Sequence, residues 1–465
     1  MLVIGLGVSG NAAAGYVLST GRREVVVVDD NTGDLIEARA RDLRAEGAKV
    51  ELGLGAGTGG TSDPDATSAL VDRLLDSVDL VVVSPGVAPQ HPLLKAARDQ
   101  DIAAWSEIEL GYRAAQASVV AVTGTNGKST VCTWVGDALG AAGIEHVVCG
   151  NIGTPMISVA QDVGPAGVLV VEASSFQLTL TDAFQARAAT VLNIGADHLD
   201  WHDDADDYAR SKARIWRNQT EDDLALANAD DDLTVSLARP AHGRHCLFSG
   251  TRAVERGVGV REGALWASAM RGEGGFPVIE LSRLPDAAPH DIANAAATSA
   301  LALDCGVPPE AVARTLASPR RLSHRRETVA EIGGVRFVDD SKATNPHAAL
   351  AAIRSFDDVV LIAGGHNKGL DLGVLADASG HLRGVVGIGE AATEVVAAFE
   401  SSGLGAETAA DMDSAVEVAA KLAAGSGIVL LSPACASFDA YRDYAARGDD
   451  FARAVHALEN ASGDS

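Results

Sequence analysis

Three α/β domains in tandem, each built on a largely parallel sheet, are what this sequence predicts, and three observations carry the prediction. Short runs of Val, Ile and Leu alternate with helical patterns, which is the βα rhythm of doubly wound sheets. Two of those runs turn through glycines into helices, at Gly5–Gly10 and Gly124–Gly127. A length of 465 residues exceeds one ordinary core and suits about three domains. We place them at 1–116, 117–321 and 322–465.

The first domain opens with strand Leu2–Leu6, a small-residue helix from about Ser9 to Thr20 and strand Val25–Asp29. Strand Asp79–Ser84 and a helix near His91–Gln100 continue the alternation. The first turn, Gly5-Leu-Gly7-Val-Ser-Gly10, fits G-x-G-x-x-G, and Asp29 stands about twenty residues on at a strand end. Alone, that fingerprint reads as NAD binding or as a cradle for another diphosphate, so an NAD-dependent oxidoreductase is one hypothesis. Gly53–Asp65 has no periodicity and reads as a surface loop.

The second domain begins with Val119-Val-Ala-Val-Thr-Gly-Thr-Asn-Gly-Lys-Ser-Thr130, an apolar strand turning through glycines into a lysine and two hydroxyls. Gly124 and Gly127 let backbone N–H groups of the Gly124-Thr125-Asn126-Gly127 turn converge on an anion, and the next helix adds its positive end. Lys128 supplies a cation for the β- and γ-phosphates of ATP, and Ser129 or Thr130 a hydroxyl for Mg²⁺. The general P-loop pattern is incomplete, because Val122 stands where its first glycine would be. Further on, the apolar run Val168–Val171 ends in Glu172, an acid placed at a strand end to hold Mg²⁺.

A fourth strand, Ala188–Ile194, leads to Asp197-His-Leu-Asp200 and the helix-like Tyr208–Trp216. His198 and His202 share a spacing that could serve zinc, but no H-e-x-x-H pattern surrounds them. His198 fits better as a ligand of a second Mg²⁺, with His202 structural or solvent-facing. The third domain starts near Leu322; a hairpin about Gly333-Gly334 precedes Asp339-Asp-Ser-Lys-Ala-Thr-Asn-Pro346. Strands Val359–Ala363, Val385–Ile388 and Ile428–Leu431 then resume the alternation. The fold class expected is therefore α/β throughout: a Rossmann-like first domain, a P-loop central domain and a Rossmann-like third domain.

A net charge of −26 argues against nucleic acid or an anionic membrane as partner, while leaving phosphorylated small molecules open. Nowhere do eighteen apolar residues run together and Met1 leads straight into a strand, so a cytoplasmic protein is expected, with a few native N-terminal residues missing or the start misassigned. Cys132, Cys149, Cys246, Cys305 and Cys435 are scattered and read as buried, reduced thiols rather than disulfides or zinc ligands.

Taken in order, Gly-Leu-Gly-Val-Ser-Gly, Ser-Pro-Gly, Gly-Thr-Asn-Gly-Lys-Ser-Thr, Gly-Asn-Ile-Gly, Glu-Ala-Ser-Ser-Phe-Gln-Leu, Asp-His-Leu-Asp, Ser-Lys-Ala-Arg-Ile, His-Arg, Asp-Ser-Lys-Ala-Thr-Asn and Ser-Pro-Ala-Cys-Ala-Ser resemble the Mur ligases over essentially the whole chain. The phosphate loop is shared with folylpolyglutamate synthases. Asp340–Asn345 and Ser432–Ser437 resemble the D-glutamate-adding branch.

The resemblance implies phosphorylation of the carboxylate of UDP-MurNAc-L-alanine by ATP, then attack by the amine of D-glutamate on the acyl phosphate. It implies catalytic roles for Lys128, His198 and Lys212, and two Mg²⁺ held by Ser129 or Thr130, Glu172 and His198. Lys212 falls where the family carries a carbamoylated lysine, a modification that turns an ammonium into a metal-binding carboxylate. Asn294, Arg325 and Asp340 match ATP contacts. Val8, Ser9, Asn151, Ser174 and Gln177 match positions near the uridylated substrate, and Lys342, Thr344, Lys368, Ser437, Phe438 and Tyr444 the D-glutamate pocket. ATP residues in two domains imply that these close before chemistry. The family works as a monomer.

The chain departs from its relatives in Asp30-Asn31, where they have Thr-Arg near uracil, in His290-Asp291 and in Gly364-Gly-His-Asn-Lys-Gly369. A ligase for another amino acid or for a folate-type substrate, and a non-catalytic nucleotide-binding regulator, are the remaining alternatives.

Overall fold

The computed structural model describes residues 1–21, 24–54, 64–76, 78–198, 201–270, 272, 274–285 and 288–463. These fall into two compact units, Met1–Ile194 with Asp206–Pro319, and Gly195–Ala205 with Arg320–Ser465. The first unit carries a five-stranded and a nine-stranded sheet, the second a six-stranded sheet.

The five-stranded sheet consists of β1 (Leu2–Ile4), β2 (Val26–Asp29), β3 (Lys49–Leu52), β4 (Leu80–Val83) and β5 (Ala103–Ser106), all parallel in the order β3-β2-β1-β4-β5. Strand order reverses between β1 and β4, the switch point where such sheets open a crevice at their carboxyl ends. Ser84 closes its floor by donating from Oγ to Gly5 O at 2.8 Å. Gly10 is needed there, because a Cβ on it would sit 1.9 Å from Gly5 O.

The nine-stranded sheet comprises β6 (Ser118–Thr123), β7 (His146–Gly150), β8 (Val168–Glu172), β9 (Ala188–Val191), β10 (Leu224–Asn228), β11 (Arg244–Phe248), β12 (Gly257–Arg261), β13 (Ala264–Ser268) and β14 (Gly275–Glu280). Its order is β14-β13-β12-β11-β10-β9-β6-β8-β7, parallel except for the antiparallel meander β12–β14 at one edge. Val120 and Val122 of β6 pack with helices Lys128–Ala141 and Pro289–Asp304 in one core, and Val119 and Ala121 with a second core on the other face. Burial on both faces is why β6 and β8 read as unbroken apolar runs.

The six-stranded sheet has β15 (Glu327–Ile332), β16 (Val335–Asp339), β17 (Val359–Gly364), β18 (Leu382–Ile388), β19 (Gly405–Thr408) and β20 (Ile428–Ala434), ordered β15-β16-β20-β17-β18-β19. Strands β15 and β16 form the expected hairpin, with Gly333 and Gly334 both at positive φ.

Some expectations change. Of the loop expected at Gly53–Asp65, residues 55–63 lie outside the described residues, and Pro64 begins helix Pro64–Leu75, proline being tolerated in a helix's first turn. Leu199 and Asp200 of the Asp-His-Leu-Asp motif also lie outside them. Cys305 is only half-buried, unlike the other four cysteines. Among the described residues no helix is long and apolar enough to cross a membrane.

Helix Glu107–Ala114 links the first sheet to the second and carries fully buried Glu107. Its Oε1 accepts from Ile157 N at 2.6 Å, yet burial lifts the carboxyl to about 7, the Ile157 and Met156 amides offsetting only part of that. A carboxyl raised in the folded state binds more protons there than in the unfolded chain, so its contribution to stability falls as pH rises from its ordinary 4.5 through 7. Urea unfolding of Glu107→Gln should therefore gain on the unaltered chain by on the order of 1–2 kcal/mol between about pH 5.5 and about pH 8. A difference that stays flat across that range would show an ordinary carboxyl.

Candidate active site

Strand β6 ends at Thr123, and the next four residues wrap back on themselves before helix Lys128–Ala141 begins. Gly124 has φ +147° and Gly127 φ +87°, conformations that L side chains rarely adopt. Space matters equally: a Cβ on Gly127 would lie 2.5 Å from Asn294 Oδ1, which places the Asn294 side chain at the loop. Asn193 braces the turn, accepting from Asn126 N at 2.9 Å and donating from Nδ2 to Asn126 O at 3.1 Å. Its carbonyl accepts from Thr125 N.

Two ammonium groups converge on one carbonyl. Lys128 Nζ donates to Gly124 O and Thr125 O, both at 2.8 Å, and Lys212 Nζ donates to the same Gly124 O at 3.0 Å. Lys212 is only 2% exposed and lies over the Tyr208 ring at 4.5 Å, while Tyr208 Oη is 3.1 Å from Thr125 Oγ1. Ser129 and Thr130 are buried in the first turn of the helix.

Glu172 stands at the end of β8, opposite Val122 of β6, and is 3% exposed. Its Oε1 accepts from Asn151 Nδ2 at 2.9 Å, whereas buried Oε2 has no hydrogen-bond partner. An unsatisfied carboxylate oxygen costs free energy unless a cation or donor reaches it. With the Ser129 and Thr130 hydroxyls in the first turn of the helix that follows β6, the neighbour of β8, this donor set fits Mg²⁺, which takes one or two carboxylates and fills its shell with phosphate oxygens and water. Among the described residues no group of three or more His, Cys, Asp and Glu could hold a metal ion by itself.

Asn151, expected near the substrate, is thus tied to Glu172 by its side chain and by its backbone N–H, which donates to Glu172 O. Ser174 and Gln177 form the capping box of the short helix Ser175–Thr179. Gln177 spends Oε1 on Ser174 and leaves buried Nε2 without a partner, a donor available to a ligand.

At the first sheet, Val8 is 57% exposed at the start of helix Val8–Thr20, beside half-buried Ser9. Asp29 is buried and already accepts from Leu6 N, Asn31 N and Asn31 Nδ2. The acid that the NAD reading needs for a ribose hydroxyl is therefore engaged by its own turn.

The second compact unit holds His198, Arg325, Asp340, Lys342, Thr344, Lys368, Ser437, Phe438 and Tyr444. Buried Arg447 ties together two stretches beside some of them, the one between Asp340 and Lys342 and the one before Ser437: its guanidinium donates to Ser341 Oγ and O, Cys435 O and Ala436 O at 2.9–3.3 Å. Backbone bonds between His366 and Ala436 bring in the Lys368 loop. Lys342 lies over the Tyr444 ring at 5.1 Å. Ser437 is buried and Phe438 is 74% exposed.

Lys368 donates to buried Asp197, which also accepts from Asn345 Nδ2 at 3.0 Å. Burial would raise the Asp197 carboxyl, but the Lys368 ammonium, His198 and Asn345 outweigh it and hold it below the usual range. Asp340 behaves oppositely: burial lifts it to about 7 despite the Ser432 hydroxyl and the charges of Arg325 and Arg326. Arg325 sits between His324 and Arg326, both at positive φ, in a loop held by Asp339 through His324 Nδ1 at 2.7 Å. His202 is 3% exposed, which corrects the solvent-facing half of its reading.

Sequence reading missed Asn193, Asp197, Tyr208 and Arg447. Asn193 and Arg447 are lone polar residues whose partners are distant in sequence, so no local pattern marks them. Local signals existed for Asp197, which adjoins His198 in the singled-out motif, and for Tyr208, which stands four residues before Lys212.

A family model described as the Mur ligase middle domain matches residues 122–262, and one described as the Mur ligase, glutamate ligase domain matches residues 324–435. The chain is 44% identical to the UDP-N-acetylmuramoylalanine–D-glutamate ligase of Frankia casuarinae, over 99% of this chain and 94% of that protein. Identity to the ligase of the same name from Pelotomaculum thermopropionicum is 38%, over 99% and 98%. The crystal structure of MurF from Acinetobacter baumannii shares the fold, with a TM-score of 0.60 at 18% identity over 97% of this chain and 93% of that one.

Two glycine substitutions separate strain from steric fit. Gly143 has φ +72° with nothing within 4 Å of a built Cβ. Gly143→Ala should cost about 1 kcal/mol of stability and leave ADP·Mg²⁺ binding intact, whereas Gly127→Ala should weaken that binding at least about tenfold. Calorimetric titration checks both, and equal affinities would mean that the loop adapts.

Proposed function

Because this chain belongs to the Mur ligase family, we propose that it is an ATP-dependent, ADP-forming ligase that joins D-glutamate to UDP-N-acetylmuramoyl-L-alanine in peptidoglycan precursor synthesis. The observation that carries the chemistry is the buried, unpartnered Glu172 Oε2 at the end of β8, beside the strand that leads into a glycine loop capped by Lys128. The reaction transfers the γ-phosphoryl group of ATP to the substrate carboxylate and releases ADP. The amine of D-glutamate then attacks the activated carbonyl, an amide bond forms, and phosphate and a proton leave.

Mg²⁺, when bound, neutralises developing phosphate charge, which is most of what phosphoryl transfer asks of its catalyst. Glu172, Ser129 and Thr130 would hold one such ion and His198 a second. Lys128 leaves the Gly124 and Thr125 carbonyls to meet the β- and γ-phosphates, and the loop N–H groups orient them. Asn294, Arg325 and Asp340 contact the rest of ATP. Val8 and Ser9 approach the diphosphate or uracil, and Asn151, Ser174 and the free Nε2 of Gln177 orient the uridylated substrate. Lys342 and Lys368, with Thr344, Ser437, Phe438 and Tyr444, receive D-glutamate, two cations facing two carboxylates.

Lys212 is carbamoylated in this reading. Two unmodified ammonium groups on one carbonyl oxygen repel each other, and adding CO₂ to Lys212 removes that repulsion while providing a metal-binding oxygen pair. We divide the chain into domains at 1–116, 117–321 and 322–465, a reading that the three separate sheets support. One chain carries every assigned residue, so a monomer suffices, and substrates of this kind place the reaction in the cytoplasm.

Mg²⁺-dependent ADP release is expected only with both UDP-MurNAc-L-alanine and D-glutamate. Turnover with L-glutamate, L-alanine or L-lysine instead would keep the family and reject this acceptor. Equilibration with ¹³C-bicarbonate should give a carbamate carbon resonance that disappears in Lys212→Ala; a spectrum unchanged by that substitution would overturn the carbamoylation.

A further inference from the structure

The first sheet reaches the second through helix Glu107–Ala114, which follows β5 directly and ends three residues before β6. Its Glu109 is fully buried. One carboxylate oxygen accepts from Asp182 N and Phe184 N, both at 2.9 Å, and the other from Ala183 N at 3.0 Å and Arg113 Nε at 2.6 Å. Three successive backbone N–H groups turned onto one anion make a nest, and here the anion is the protein's own side chain.

Neighbouring groups reinforce the junction. Arg113 also bonds Asp182 at 2.8 Å and stacks on Trp105 of β5 at 4.1 Å. Tyr112 meets Phe184 edge-on with ring centroids 5.6 Å apart, and Ser106 N donates to Leu180 O at 2.9 Å. From its other side the same stretch is held by Arg214, which donates to Leu178 O and Thr181 O two residues after Lys212. This stretch continues directly from helix Ser175–Thr179, whose first turn carries the Ser174–Gln177 box. Glu109 thus ties the linker helix of the first sheet to the segment that presents Ser174 and Gln177.

We propose that Glu109 is a positioning residue: it fixes the first sheet, with its glycine turn, against the Ser174–Gln177 site, so that a nucleotide-sugar contacting both meets a span set before it binds. The saving is in ordering cost, which a loose linker would charge to each binding event. Charge matters as well as shape. Gln in place of Glu109 offers one acceptor oxygen where the carboxylate offers two, and turns an amide donor toward N–H groups.

The inference rests on the ligase reading for its probe, UDP-MurNAc-L-alanine. In calorimetric titrations Glu109→Gln should weaken that compound about tenfold, leave ADP·Mg²⁺ within about twofold, and leave kcat at saturation within about threefold. Glu109→Asp, which keeps the charge, should recover part of the loss. Equal weakening of both ligands would reduce Glu109 to a general structural role, and unchanged affinities would overturn the proposal. If the unaltered chain itself fails to bind the UDP compound, the substrate reading fails, and amide exchange at Asp182, Ala183 and Phe184 decides the rest. Slow exchange in the unaltered chain and fast exchange in Glu109→Gln, with the helix Lys128–Ala141 unaffected, supports the clamp; no difference overturns it.

Discussion

The parallel pairing of β6 with β8 is the constraint on which the candidate site depends. Its register sets Val122 opposite Glu172, and the next pairing sets Gly150 of β7 opposite the same residue. Three strands therefore end together, and the glycine loop, the buried Glu172 carboxylate and the Asn151 turn share one edge. Parallel strands followed by helices bring helix N-termini and unspent N–H groups to that edge. Because side chains alternate along a strand, a slip of one residue would send Glu172 to the opposite face.

The site then concentrates charge against the character of the chain. A net −26 surrounds a loop at which two lysines meet one carbonyl oxygen, so the positive field there is local. The second unit solves a related problem with Arg447. Burial pulls its guanidinium down to about 10, which still leaves it charged near neutrality, and carbonyl and hydroxyl oxygens satisfy it. Losing such a group would strand several acceptors together, so one buried cation holds the Ser341 and Cys435–Ala436 stretches in place.

Much of this was legible beforehand. The strand cores, the glycine turn after β6, the strand end at Glu172 and the Gly333-Gly334 hairpin all carry signals within a few residues of one another, where apolar runs and glycine positions reflect local geometry. Several edge strands were not legible. Strand β3 reads Lys-Val-Glu-Leu with one buried residue, β19 reads Gly-Ala-Glu-Thr and is largely solvated, and the meander β12–β14 is exposed along parts of its length. Such strands are defined by a neighbour to pair with, not by their own composition.

By itself the sequence determined the α/β class, the order of the sheets along the chain and the glycine turn after β6, since those follow from residue type at short spacing. Tertiary structure alone decided that Asn151 serves Glu172, that Gln177 keeps a free donor, that Asp29 is spent on its own turn and that Glu109 clamps residues 182–184. In each case the deciding quantity is which hydrogen-bonding capacity remains once the chain has folded. That remainder depends on partners far apart in sequence, and no local pattern records it.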